Sequence, residues 1–196
     1  MDRIIELLIA TITNHNIALA YILGMCPLIA ISTNIRNAKG MGIAVIFVVT
    51  LTAMINYPIY MLLKSTGTSY LSLLIFIITI AATVQFLEMF LDKFFPKLYN
   101  AFGIYLPLIT VNCVVLAVSL FFVNREYTFI ETTAFSFGSA VGWFLAIVLV
   151  AGIRTKMAKT HNKGDLPKGL AGRGIVFVIL GILALAFIGF TGLANI

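Results

Sequence analysis

Runs of about twenty apolar residues follow one another along almost the whole of this 196-residue chain. That pattern leaves few folds open. A helix crossing the hydrocarbon core of a bilayer needs about 20 mostly apolar residues, and its backbone groups must be paired within the segment. Six such runs are readable: about Ile4–Ile35, Met41–Leu63, Tyr70–Leu91, Ala101–Val123, Glu131–Ile153 and Arg173–Ala194. The connections between them are short. The longest, Arg154–Gly172, is polar and Lys-rich with Pro and Gly, so it reads as a loop. The chain is 61% hydrophobic and 10% charged, with a mean hydropathy of +1.09, whereas a soluble domain carries about 25% charged residues. The expectation is an all-α integral membrane protein, a single transmembrane domain over residues 1–196. The start, "MDRIIELLIA", has acidic residues and no small-residue cleavage site, so the first segment is expected to stay.

A net charge of +6 does not indicate nucleic acid here, because the basic residues lie between apolar runs and read as topology signals. The connections after runs one, three and five hold ten Lys and Arg residues, and the opposite side holds three. This asymmetry places the odd connections in the cytoplasm and both termini outside.

Runs one and four are not clean spans. The first is too long for one crossing and is interrupted at Asn14-His15-Asn16, at Gly24 and at Pro27. The fourth is broken around Pro107–Asn112. Each carries one of the two cysteines. "CPLIAIS" from Cys26 and "CVVLAVS" from Cys113 share Cys, Ala and Ser, and lie 87 residues apart. Two halves of three spans each, about 1–91 and 92–196, would run in opposite senses, as an inverted repeat with broken spans in corresponding positions. "GMGIAVIFV" (40–48) and "GSAVGWFLAIV" (138–148) match weakly in spans two and five. Broken backbone is tolerated in a membrane only where it is buried in protein or lines a cavity, so the breaks point to a site near the midplane.

A buried cysteine is first of all a small hydrophobe, and a disulfide between the two is a second reading that gives no reason for the repeat. A metal centre at Cys26 and Cys113 is the sharper one. An iron–sulfur cluster takes four thiolates as a rule. This chain supplies two, and His15 and His161 stand elsewhere. The other two thiolates would come from another chain, most simply a homologous one. A carrier halfway across a core of about 30 Å would divide one long electron transfer into two.

"GMCPLIAIS", "VQFLEMFLDKFFPKLYNAFGIYLPLITVNC", "FGSAVGWFLAIVLVAGIRTKM" and "LPKGLAGRGIVFVILGILALAFIGFTGL" resemble the family of E subunits of the sodium-translocating NADH:quinone oxidoreductases, over nearly the whole chain. The paralogous A subunit of the Rnf ferredoxin:NAD oxidoreductase shares the patterns around both cysteines. That paralogue usually has Thr where Val111 precedes Asn112-Cys113, and it lacks Trp143, which favours the first family. The loop "AKTHNKGDLPKGL" is slightly longer than in either. The resemblance implies a [2Fe–2S] cluster held by Cys26 and Cys113 with two further cysteines from the homologous D subunit, whose topology is opposite. It implies a complex with the A, B, C and F subunits in the bacterial inner membrane. Electrons would enter from NADH through the flavin and [2Fe–2S] centre of the F subunit and reach the covalent flavin of the C subunit. They would return through the flavin of the B subunit and riboflavin to ubiquinone, with sodium pumped outward. No segment of this chain offers an NADH site, so NADH and the flavins belong to other members of the complex.

Other polar residues have plainer readings. Glu88, with Gln85 and Asp92, lies near the cytoplasmic end of span three. An intramembrane acid is a functional candidate, and sodium coordination is weighed against an interfacial carboxylate paired with Lys93 or with a partner chain. Asn112 and Thr110 would cap the broken helix or donate to cluster sulfur. Trp143 reads as a lipid-facing or packing group, Gly138, Gly142, Gly181 and Gly189 as close helix contacts, and Asn14-His15-Asn16 as the lining of an outer polar pocket. Two other classes compete: a secondary transporter whose broken helices bind a solute without metal, and a purely structural subunit.

Overall fold

A computed structural model describes residues 2–13, 16–67, 69–94, 112–160 and 174–193. These residues form eight α-helices and no strand. The first run becomes three short helices, α1 (Asp2–Thr13), α2 (Ile17–Ala20) and α3 (Met25–Ile31). The long helix α4 (Ile35–Thr66) follows, then a 3₁₀ turn at Ser69–Leu71 and α5 (Ser72–Phe94). In the second half α6 (Cys113–Asn124), α7 (Phe129–Thr160) and α8 (Gly174–Leu193) are described.

Three of these are long and apolar enough to cross a membrane: Ile35–Thr66, Ser72–Phe90 and Phe129–Met157. They contain most of the second, third and fifth expected spans. The first run holds no single helix of spanning length, and the apolar windows of α6 and α8 are shorter, at Cys113–Asn124 and Gly174–Phe187. Helices α4 and α7 are each 32 residues long, or about 48 Å at 1.5 Å per residue.

The ends of these helices follow from their sequences. Gly67 closes α4 at φ +72°, its N–H reaching Leu63 O and Lys64 O, a left-handed C-terminal stop that glycine reaches without penalty. Thr128 opens α7: its N–H and Oγ1 both donate to Glu131 carboxylate, at 3.0 and 2.9 Å, which satisfies groups that a helix start leaves unpaired.

The break in run one does not come from Pro27, contrary to the sequence-based expectation. Pro27 is the third residue of α3, where a backbone N–H has no intrahelical partner, so its absence costs nothing. Asn16 and Gly24 make the interruption instead, because they begin α2 and α3. Pro107 and Thr110 lie outside the described residues, as do Asn14, His15 and His161.

Among the described residues, helices α4 and α7 make the largest helix–helix contact. Met41, Val45 and Val49 of α4 and Trp143, Ile147 and Val150 of α7 are buried in that core. A Cβ on Gly42 would lie 1.9 Å from Phe144 Cδ2, so the bare glycine lets the aromatic ring onto the α4 backbone. Around this pair the broken segments cross over. Helices α1 and α2, from the first half, pack on α7 and α8, while α6, from the second half, packs on α4 and α5. Lipid tails are as apolar as leucine, so shape fit and polar pairs hold such helices rather than hydrophobic burial. Asn56 of α4 supplies one pair, donating from Nδ2 to Ser119 Oγ of α6 at 2.9 Å with both residues buried. The outer faces remain apolar: Leu73, Leu74, Ile77, Ile78 and Phe86 of α5 are all exposed.

Candidate functional site

The first break begins at Asn16, which is buried. Its Oδ1 accepts from Ala18 N at 3.1 Å and caps α2, while its Nδ2 donates to Gly142 O of α7 at 2.9 Å. Asn16 is thus a cap and a cross-link rather than the lining of an outer pocket. After Ala20 the chain leaves the helix, and Leu23 N returns to Ile17 O at 3.2 Å. Ile22 stands at φ +55° and Gly24 at φ +81°. A β-branched residue in the left-handed region costs of the order of 1–3 kcal/mol, so the surrounding packing holds a strained turn here. Cys26 follows as the second residue of α3 and is exposed.

In the fourth run the described residues begin at Asn112, the N-cap of α6. Its Oδ1 accepts from Val114 N at 3.1 Å and caps α6, so the capping role expected for it is the one found. Asn112 Nδ2 is buried and has no hydrogen-bond partner among the described residues. Cys113 is the first residue of α6 and is half-buried.

The first break meets the start of α6. Gly24 N donates to Cys113 Sγ at 3.0 Å, across 89 residues of sequence. Tyr21, beside the first break, packs its ring 5.0 Å from that of Phe121 in α6. Trp143 of α7 covers the junction from behind. It is fully buried, not lipid-facing, and its Nε1 donates to Gly24 O at 3.4 Å. Gly24 fits because it has no side chain: a Cβ would lie 2.4 Å from Trp143 Nε1 and 2.5 Å from Val114 Cγ2.

Among the described residues no three His, Cys, Asp or Glu side chains gather as a metal site. Two thiols are what one chain could contribute to a four-thiolate centre. Cys26 is exposed, Cys113 Sγ accepts a backbone N–H, and Asn112, its neighbour in sequence, has a buried Nδ2 without a hydrogen-bond partner among the described residues. Cys26 and Cys113 remain free thiols and form no disulfide with each other.

Arg154 escaped the sequence reading, which took it as a loop charge. It lies within α7 and is half-buried. Its Nη1 donates to Ile29 O at 3.3 Å and Ser32 Oγ at 2.7 Å, at the C-terminal end of α3. Asn16, Gly24 and the end of α3 are therefore fastened to one helix, α7, at successive heights. Gly138 and Gly142 do make close contacts, with Leu8 and Thr11 and with Asn16, whereas Gly181 and Gly189 have nothing within 4 Å of a Cβ position. Glu88 is half-buried and Gln85 and Asp92 are exposed on α5, apart from both breaks in sequence.

A helical membrane protein with one thiol at the end of a helix break and another at a helix start, the two joined by a hydrogen bond, is the class that fold and site define. The chain belongs to the Rnf-Nqr family of membrane protein subunits, whose model matches residues 4–194. It is 48% identical to the E subunit of the Na(+)-translocating NADH-quinone reductase of Dichelobacter nodosus, 46% to that of Neisseria meningitidis serogroup B and 44% to that of Maridesulfovibrio salexigens. Each match covers 98% of this chain and 99% of the relative.

Proposed function

We propose that this chain is the membrane-embedded E subunit of a sodium-translocating NADH:ubiquinone oxidoreductase, and that it carries electrons across the bilayer with a homologous D subunit. The observation that carries the reading is the hydrogen bond from Gly24 N to Cys113 Sγ, which brings the break before Cys26 against the start of α6 at Cys113. Cys26 and Cys113 hold one side of a [2Fe–2S] cluster, and the D subunit supplies the other two thiolates. The cluster supplies a one-electron carrier near the middle of the membrane. The role of this chain is to present two sulfurs at a fixed spacing and to seal the protein side of the site with Trp143 and Val114. The A, B, C and F subunits, the NADH site and the flavins complete the complex around it.

The exchange of packing between halves supports an inverted repeat of three spans, about 1–91 and 92–196. Its paired long helices α4 and α7 are of equal length, and each half's broken segment rests on the other half. The asymmetry of Lys and Arg supports the termini on the periplasmic side of the inner membrane. Four relatives at 44–48% identity are named as the E subunit, which favours this complex over the Rnf paralogue.

The test is an EPR spectrum with iron quantitation of the purified complex after dithionite reduction. The expected result is one [2Fe–2S] signal beyond that of the F subunit, lost in both Cys26→Ala and Cys113→Ala together with quinone reduction. An unchanged signal and activity in the two variants would overturn the assignment.

A further inference from the structure

We infer that Trp143 is a positioning residue that sets the electrochemistry of the Cys113 sulfur by holding Gly24; the inference rests on the cluster reading above. Three observations combine. Gly24 N donates to Cys113 Sγ at 3.0 Å. The same glycine is wedged between Trp143 Nε1, 2.4 Å from where a Cβ would be, and Val114 Cγ2, 2.5 Å from it. Trp143 Nε1 donates to Gly24 O at 3.4 Å, and the indole is fully buried.

The physical consequence follows from what holds Gly24. Its φ of +81° is a conformation that glycine shares between several alternatives. The turn before it is already strained at Ile22. Packing must therefore choose the orientation of the Gly24 N–H, and the surfaces against it are Trp143 on one side and Val114 on the other. A buried indole N–H needs an acceptor, and Gly24 O is the one it finds. The indole N–H holds the carbonyl of the Gly24–Met25 peptide, and its ring and Val114 bound the Gly24 Cα; together they fix the φ on which the aim of the preceding Leu23–Gly24 N–H at sulfur depends. Val114 adjoins Cys113 in α6, so Gly24 is fixed relative to the very turn that carries the sulfur.

A donor on a ligand sulfur stabilises the reduced, more negative state of a cluster more than the oxidised state. Loosening it makes reduction harder. Trp143→Phe keeps an aromatic ring against Gly24 and removes the N–H that fixes the carbonyl. The expected result is a lower midpoint potential of the EPR-detected cluster in the intact purified complex, at unchanged iron content. The change corresponds to an equilibrium for reduction about tenfold less favourable, or about 59 mV for one electron. A purely structural tryptophan would lower the amount of cluster and leave the potential of what remains where it was.

The same samples carry a second measurement. With ¹⁵N-glycine incorporated into wild-type complex, pulsed EPR of the reduced cluster should show a peptide nitrogen coupled through the N–H···S bond, and the coupling should weaken in Trp143→Phe. An unchanged midpoint, or no glycine nitrogen coupling in the wild type, overturns the role of Trp143 while leaving the cluster in place. No iron signal in the wild type beyond that of the F subunit overturns the cluster reading itself. Should Trp143→Phe fail to assemble, the wild-type nitrogen coupling decides alone.

Discussion

Arg154 Nη1 and Ser32 Oγ lie 2.7 Å apart although 122 residues separate them in the chain. The guanidinium also reaches Ile29 O at 3.3 Å, so a cation sits at the negative end of the helix that bears Cys26. Hydrogen bonds to charged groups contribute about 1.5–3 kcal/mol, and a cation at a helix C-terminus adds to this. Arg154→Met is expected to destabilise the chain by about that amount, read as a lowered Tm of the purified complex. Arg154→Lys keeps the charge but not the planar fork and should fall between the two. An Arg154→Met complex as stable as the wild type would show that the end of α3 is held by something else.

Gly24 and Gly67 share a left-handed backbone but not an environment. Their φ values are +81° and +72°, yet a Cβ at Gly67 meets nothing within 4 Å. Gly67→Ala is expected to cost only the conformational penalty, about 1–2 kcal/mol. Gly24→Ala adds a collision with Trp143 and Val114, and overpacking costs typically about 1–3 kcal/mol more. Yield and thermal stability of the two variants, side by side, separate backbone strain from steric exclusion.

Asn112 has two amide functions, and only one is used among the described residues. Its Oδ1 caps α6, while its Nδ2 is buried and unpaired. Asn112→Ala removes the cap and should cost about 1 kcal/mol. Asn112→Ser keeps a capping oxygen, discards the idle donor and should stay within about 0.5 kcal/mol of wild type. A loss in Asn112→Ser as large as in Asn112→Ala would mean that Nδ2 has a partner in the assembled complex.

Glu126 is a non-glycine residue at φ +49° in the turn between α6 and α7. Its carboxylate meets Lys64 Nζ at 3.3 Å with both side chains mostly exposed, and exposed pairs contribute little. Glu126→Gly should be neutral or stabilising by up to about 1 kcal/mol, because it relieves a left-handed residue. A clear drop in Tm would mean that the Lys64 pair fastens the end of α4.

Glu88 is half-buried on α5, and among the described residues it has no hydrogen bond or ion pair, Lys93 included. Glu88→Gln is therefore expected to leave stability within about 0.5 kcal/mol of wild type. Sodium-dependent turnover of the same complex then reports on function without a folding artefact. Equal turnover would remove Glu88 from the candidates for sodium coordination.

The long apolar runs made helical spans legible at once, because the need to pair every backbone group in lipid leaves a helix as the only open-ended solution. The interruptions at Asn16 and Gly24 were legible too, and both cysteines stood out by repetition. Pro27 misled, since a proline reads as a breaker wherever it stands, and only the position of the helix start shows that its first turn tolerates it. Trp143 and Arg154 were hidden for a different reason. Each acts on a residue more than a hundred positions away, and neither periodicity nor local composition carries that pairing. Gly42 was passed over because its role depends on Phe144 alighting on it from the other half.

The crossing-over of broken segments has a consequence for synthesis. Asn16 finds its acceptor at Gly142, 126 residues later. At about 5–20 residues per second, the ribosome takes roughly 6–25 s to make that stretch. Throughout this interval the asparagine, the strained turn and the first thiol are in the membrane without the helix that fastens them. The nascent first half is thus an unfinished joint, and whatever attends it at the insertion site must shelter a polar side chain and an exposed cysteine until α7 arrives.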